Sequence, residues 1–140
     1  MEGRTGASVT AGGAAPALSD ADCALVAAAL ARLIARVEQE VPEAGPFEPV
    51  VERCPVTHPR HAGVHEVVLR IGAGQGDGAG RRFFDVRVRT AEAGSESSTW
   101  LHFAERAALL ALLRDQESGL TATLAAIEGA VESLARYELR

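Results

Sequence analysis

"RRFFDVRVRT", residues 81–90, sets how the rest of this chain is read. On an extended backbone Phe84, Val86 and Val88 point one way, and Phe83, Asp85, Arg87 and Arg89 point the other. A period of two over a run rich in β-branched and aromatic residues predicts a strand with one buried face. "HEVVLRI" (65–71) carries the same period: Val67, Leu69 and Ile71 share a side, with Val68 and Arg70 opposite. "STWLHF" (98–103) follows, with Leu101 and Phe103 on one side and Trp100 and His102 on the other. The segments between these runs, "GAGQGDGAG" and "AEAGSES", are turn material. Short turns between alternating runs predict an antiparallel meander.

Upstream, "PEAGPFEPVVERCPVTHPRHAG" (42–63) holds five of the chain's six prolines. Each proline removes a backbone donor, which excludes a central strand there. "FEPVVER" (47–53) reads as an edge strand and the rest as loop, so the meander has three or four strands.

Helical periods flank the sheet. "LSDADCALVAAALARLIARVEQEV" starts with Ser19 as N-cap and Asp22 at capping-box spacing, and Pro42 stops it. Within it Cys23, Val26, Leu30, Leu33 and Val37 follow a 3-4 seam among alanines. "AERAALLALLRD" (104–115) is a second helix. A break expected at Ser118-Gly119 precedes a third, in which Leu120, Leu124, Ile127, Val131 and Leu134 form the clearest 3-4 seam. The expected fold is α+β: an antiparallel three- to four-stranded meander preceded by one long helix and followed by two. It would occupy residues 18–140 as one domain, behind a Gly/Ala/Ser/Thr tail at 1–17 expected to be disordered.

Composition narrows the chemistry. The net charge is -5, which argues against whole-surface attraction to nucleic acid or anionic membrane. All 14 basic residues are arginine. Without lysine there is no Walker-type phosphate loop and no Schiff-base nucleophile; without asparagine there is no N-glycosylation site. Cys23 and Cys54 are too few for a disulfide framework, no secretory signal pattern is visible, and the longest charge-free apolar run in the first helix, Cys23 to Ala31, is too short to span a bilayer. A cytoplasmic location with reduced thiols is expected.

Three motifs compete for function. Gly74, Gly76 and Ala79 match a dinucleotide fingerprint, but a strand follows where the motif needs a helix, so the run is a hairpin loop. "CPVTHPRHAGVH" places Cys54, His58, His61 and His65 within twelve residues. Four nitrogen and sulfur donors suit zinc, but this spacing lacks the two separated pairs of a finger or ribbon, and Pro55 and Pro59 stiffen the wrap. No metal or other cofactor is therefore favoured. Catalytic arrangements are missing too: there is no Gly-x-Ser-x-Gly elbow, and the carboxylates are scattered over helix surfaces and a linker.

The sheet offers more. If the apolar rows face the helices, Arg70, Phe83, Arg87, Arg89, Trp100 and His102 gather on the other surface. Arginines interleaved with aromatics suit single-stranded nucleic acid or an acidic peptide, with Asp85 and Glu66 available as internal partners. The helical seams point to association. Arg32 and Arg36 flank the first, Glu128 and Glu132 the second, and a small sheet leaves at least one of three helices with apolar surface to spare. The reading that follows is a non-enzymatic, cytoplasmic, bacterial-type adaptor, chaperone-like or regulatory, that dimerises through a terminal helix such as the Leu120–Leu134 seam and holds a protein partner. A single-stranded nucleic-acid binder using the arginine face is the alternative, and a small metal-binding protein the second.

Overall fold

In the computed structural model, which describes residues 18–59, 64–74, 81–90 and 96–138, the chain is α+β. A long helix α1 (Asp20–Glu40) precedes strands β1 (Val50–Pro55), β2 (Val64–Ala73), β3 (Arg82–Thr90) and β4 (Glu96–Ala104). Two helices, α2 (Arg106–Arg114) and α3 (Gln116–Glu138), follow. The strands form one antiparallel sheet in the order β1-β2-β3-β4, which is the expected meander in its four-stranded form. The tail at 1–17 lies outside the described residues.

Local chemistry accounts for the elements. The Ser19 hydroxyl accepts the Asp22 amide at 3.2 Å, and Asp20 and Asp22 sit at the positive end of the α1 dipole. Pro42 cannot extend the helix beyond Val41, whose amide makes the last hydrogen bond, to the Val37 carbonyl. The strand register matches the two alternating rows: Val67, Leu69 and Ile71 oppose Val88, Val86 and Phe84. These residues, with Val50 and Cys54 of β1, join Val26, Leu30, Leu33 and Val37 of α1, Leu109 and Leu113 of α2, and Ile127, Val131 and Leu134 of α3 in one buried cluster. All three helices therefore lie over one face of the sheet.

Two expectations are corrected. The last helix begins at Gln116 instead of after Ser118-Gly119. Asp115 is the corner: its carboxylate accepts the Ser118 amide at 3.1 Å and its carbonyl accepts the Gly119 amide at 2.7 Å. Gly119 is needed for close approach, since a Cβ there would lie 2.7 Å from the Leu113 carbonyl oxygen and 2.9 Å from that of Leu112. A glycine that reads as a breaker is a contact point within the first turn of α3. The edge strand also shifts. It begins after Pro49 and runs through Cys54 to Pro55, so Cys54 pairs with Val67 and belongs to the sheet, not to a loop. Edge position tolerates Pro55, whose missing donor costs no pairing on the outer side.

Candidate functional site

The sheet face away from the helices carries the chemistry. Across β1, β2 and β3 it collects Arg53; Glu66, Val68, Arg70 and Gly72; and Phe83, Asp85, Arg87 and Arg89. Val68, midway along β2, and Phe83, near the start of β3, are buried, and neither belongs to the main core. Gly72 opposes Phe83, and a Cβ on Gly72 would lie 2.2 Å from the ring. The glycine leaves the space in which the ring lies flat on the strand. Arg70 stacks over the same ring with its guanidinium carbon 5.3 Å from the centroid.

Arginines and carboxylates alternate along the rest of this face. Arg53 Nη1 is 3.2 Å from Glu66 Oε1, and Arg89 Nη1 is 3.5 Å from that same oxygen. Arg89 Nε lies 3.3 Å from Glu96 Oε2, and Arg87 Nη1 3.5 Å from Glu96 Oε1. Arg87 Nε donates to Asp85 Oδ2 at 2.8 Å, and Arg70 Nη1 approaches that oxygen at 3.9 Å. The result is a zigzag of arginines and carboxylates across all four strands. Asp85 is fully buried, and among the described residues its Oδ1 has no hydrogen-bond partner. Buried carboxylate oxygens are almost always satisfied, so this atom is an uncompensated cost inside the face.

Of the residues that the sequence singles out, Arg70, Phe83, Arg87 and Arg89 come together here. The register interrupts strict alternation in β4: it shifts between Phe84 and Asp85, setting Trp100 opposite Asp85 but His102 opposite Phe84. Those two positions are therefore not in one row. Arg53 and Glu96 complete the ladder without having been singled out. The alternation of "VVERCP" against "HEVVLR" carries a signal for Arg53, but only once the β1–β2 register is known.

The helical seam of α3 is divided. Ile127, Val131 and Leu134 are buried in the chain's own core, while Leu120 and Leu124 are half-buried at its margin. Beside Leu120, a cleft of about 450 Å³ opens between α1 and the α2–α3 corner, lined by Ala27, Ala31, Ile34 and Leu113 among others.

The Cys/His stretch is spread out. Cys54 faces the core, where burial pushes its thiol up to about 11. His58 is fully buried and its Nε2 donates to Glu128 Oε2 of α3 at 2.7 Å. His65 is exposed at the start of β2, and His61 lies outside the described residues. Among the described residues no three His, Cys, Asp or Glu side chains gather as a metal-ligating group. Cys23 is also pushed up, by burial and then by Asp20 and Asp22, so both thiols favour the protonated, weakly nucleophilic form.

One arginine escaped notice in the sequence. Arg82 is fully buried; its Nη2 donates to the carbonyls of Pro42 at 2.9 Å and Gly45 at 3.0 Å, and its guanidinium stacks on Phe47 at 4.8 Å. It is a structural clamp on the α1–β1 connection. Among the described residues no helix is long and apolar enough to cross a membrane. Comparison with protein-family models, curated proteins and solved structures finds no match to this chain.

Proposed function

We propose that the chain is a non-enzymatic, cytoplasmic interaction module, adaptor-like, that works as a homodimer and holds a protein partner on its open sheet face. The observation that carries this reading is the composition of that face. Partly exposed arginines and carboxylates alternate across the strands over buried Val68 and Asp85, from Arg53 on β1 to Glu96 on β4. Arginine is enriched in protein–protein contacts, and an array of arginines and carboxylates carried on strands suits a polar protein surface.

The same ladder weighs against nucleic acid. Arg53, Arg70, Arg87 and Arg89 are balanced by Glu66, Asp85 and Glu96, which leaves one net positive charge. Phosphate binding draws its strength from releasing counterions around uncompensated cations. Arginines already held by carboxylates offer little of that gain.

Two measurements test the reading. Light scattering of the purified chain is expected to give a dimer; a strict monomer at high concentration removes the homodimer. Co-purification from the native host is expected to recover a protein that Arg53→Glu, at an exposed position of the same face, releases without unfolding the chain. Salt-sensitive oligonucleotide binding that Arg87→Ala with Arg89→Ala abolishes would replace the protein partner with a nucleic acid.

A further inference from the structure

The two edges of the sheet are finished differently. β1 is closed. Pro49 precedes it and Pro55 ends it, and from α1 Arg36 Nη1 donates to the Val51 carbonyl at 2.6 Å. Arg32 and Arg36 also grip Glu52 of the same strand at 2.8 and 3.1 Å. Prolines, charges and a covering helix are the standard protections of a strand edge.

β4 has few of these protections. It is nine residues long, "ESSTWLHFA", with no proline and no arginine. Its single charge, Glu96, is already held by Arg87 and Arg89. It is the last strand in the sheet, and among the described residues no strand pairs with its outer side. α3 supports it from the helical face: Thr99 Oγ1 lies 3.5 Å from the Cβ position of Gly129. A strand of this length presents an edge about 30 Å long, whose outward amides and carbonyls have no strand partner among the described residues.

We propose that this edge is where the homodimer forms: β4 pairs antiparallel with β4 of a second copy, joining two four-stranded sheets into one. The inference rests on the homodimer reading above and supplies its interface. A second copy fits because the strand is complementary to itself. Ser97, Ser98 and Thr99 set no like charges opposite one another across a twofold, and small hydroxyl side chains pair well between strands. The two Glu96 carboxylates fall at opposite ends of the new ladder, each neutralised by its own arginines. The register shift of β4 lies beyond Trp100, so Glu96 to Trp100 is the regular run and holds the twofold. A twofold perpendicular to the sheet keeps both open faces on the same side and makes one surface of them.

Single cysteines at Ser97, Ser98 and Thr99, with Ala28→Cys on the exposed side of α1 as a control, test the interface in the full chain. The native thiols are buried or half-buried, and the unsubstituted chain gives their background. Mild oxidation is expected to yield a covalent dimer from one or more β4 positions and none from Ala28→Cys. A chain that is dimeric by light scattering but crosslinks at no β4 position overturns the edge and leaves the homodimer standing. A strict monomer overturns both. A monomer whose Ser98→Cys crosslinks only to a different co-purified protein gives the edge to a foreign strand and also overturns the proposal. Proline substitution adds a second readout. Of the adjacent Ser97 and Ser98 amides, one points to β3 and one outward. The proline variant that keeps the native circular dichroism is expected to be monomeric; if it stays dimeric, β4 is not the interface.

Discussion

The two faces of the sheet bury their centres by different means. On the covered face Leu69, Ile71, Phe84 and Val86 are fully buried and belong to one apolar cluster with residues of all three helices. On the other face Val68, Phe83 and Asp85 are buried, with Arg70 stacked over Phe83 and Arg87 paired with Asp85. The first face contributes through area removed from water. On the second, burial of Val68 and Phe83 adds the same kind of term, while its partly exposed ion pairs add only about 0–1 kcal/mol each and Asp85 Oδ1 has no partner among the described residues.

Breaking the covered face has the largest effect. Leu69→Ala removes a fully buried side chain between α1 and β3, with an expected loss of about 3–5 kcal/mol in urea unfolding. Gly72→Ala comes next: the new methyl overlaps Phe83 on the open face and must displace the ring. A loss of about 1–3 kcal/mol is expected, together with a marked loss of partner binding. Asp85→Leu sharpens the contrast. It deletes a buried charge whose arginine partners are exposed enough to rehydrate, so unfolding free energy is expected to change by less than about 1 kcal/mol in either direction. A loss above 3 kcal/mol would make Asp85 a pillar of the fold and remove the distinction between the faces. Arg89→Ala, in the exposed part of the ladder, is expected to cost less than about 0.5 kcal/mol and to have no measurable effect in high salt.

The smallest effect is one of pH and belongs to the α1–β1 contact. The hydrogen bond from Arg32, opposed by partial burial and reinforced by Arg36, holds the Glu52 carboxyl below its ordinary value. A lowered carboxyl contributes stability that is complete above its unfolded value of about 4.3 and is lost as the pH falls through the lowered one. Thermal melts of Glu52→Gln are therefore expected to show a shallower acid-side decline below about pH 4.5 than the parent chain.

Much of the fold was legible because the decisive patterns are local. Period two in "RRFFDVRVRT" and the 3-4 seam of α1 each fix their element from within, and both rows of β3 face as their alternation requires. What local patterns cannot supply is pairing. The β4 register shift separates Trp100 from His102, and nothing in "STWLHF" marks it. Gly119 reads as a helix break because glycine is a poor helix former; its role appears only when the α2 carbonyls are placed beside it. His58 stands among ligand-type residues, and its actual partner, Glu128, is seventy positions away. The candidate face was half legible. Its arginines, with Asp85 and Glu66 as partners, follow from alternation, but Arg53 and Glu96 join them only through strand pairing.

Arg82 also bears on the order of folding. The carbonyls it holds, on Pro42 and Gly45, lie forty and thirty-seven positions earlier in the chain. The connection between the first helix and the first strand therefore cannot settle into its final shape until the third strand is in place. An N-terminal half that waits for a distant side chain closes a long loop before it gains its contacts, which raises contact order and slows folding. Rapid-mixing kinetics of Arg82→Met would show this as faster unfolding with little change in the folding limb if the clamp closes late, or as slower folding if it closes in the nucleus.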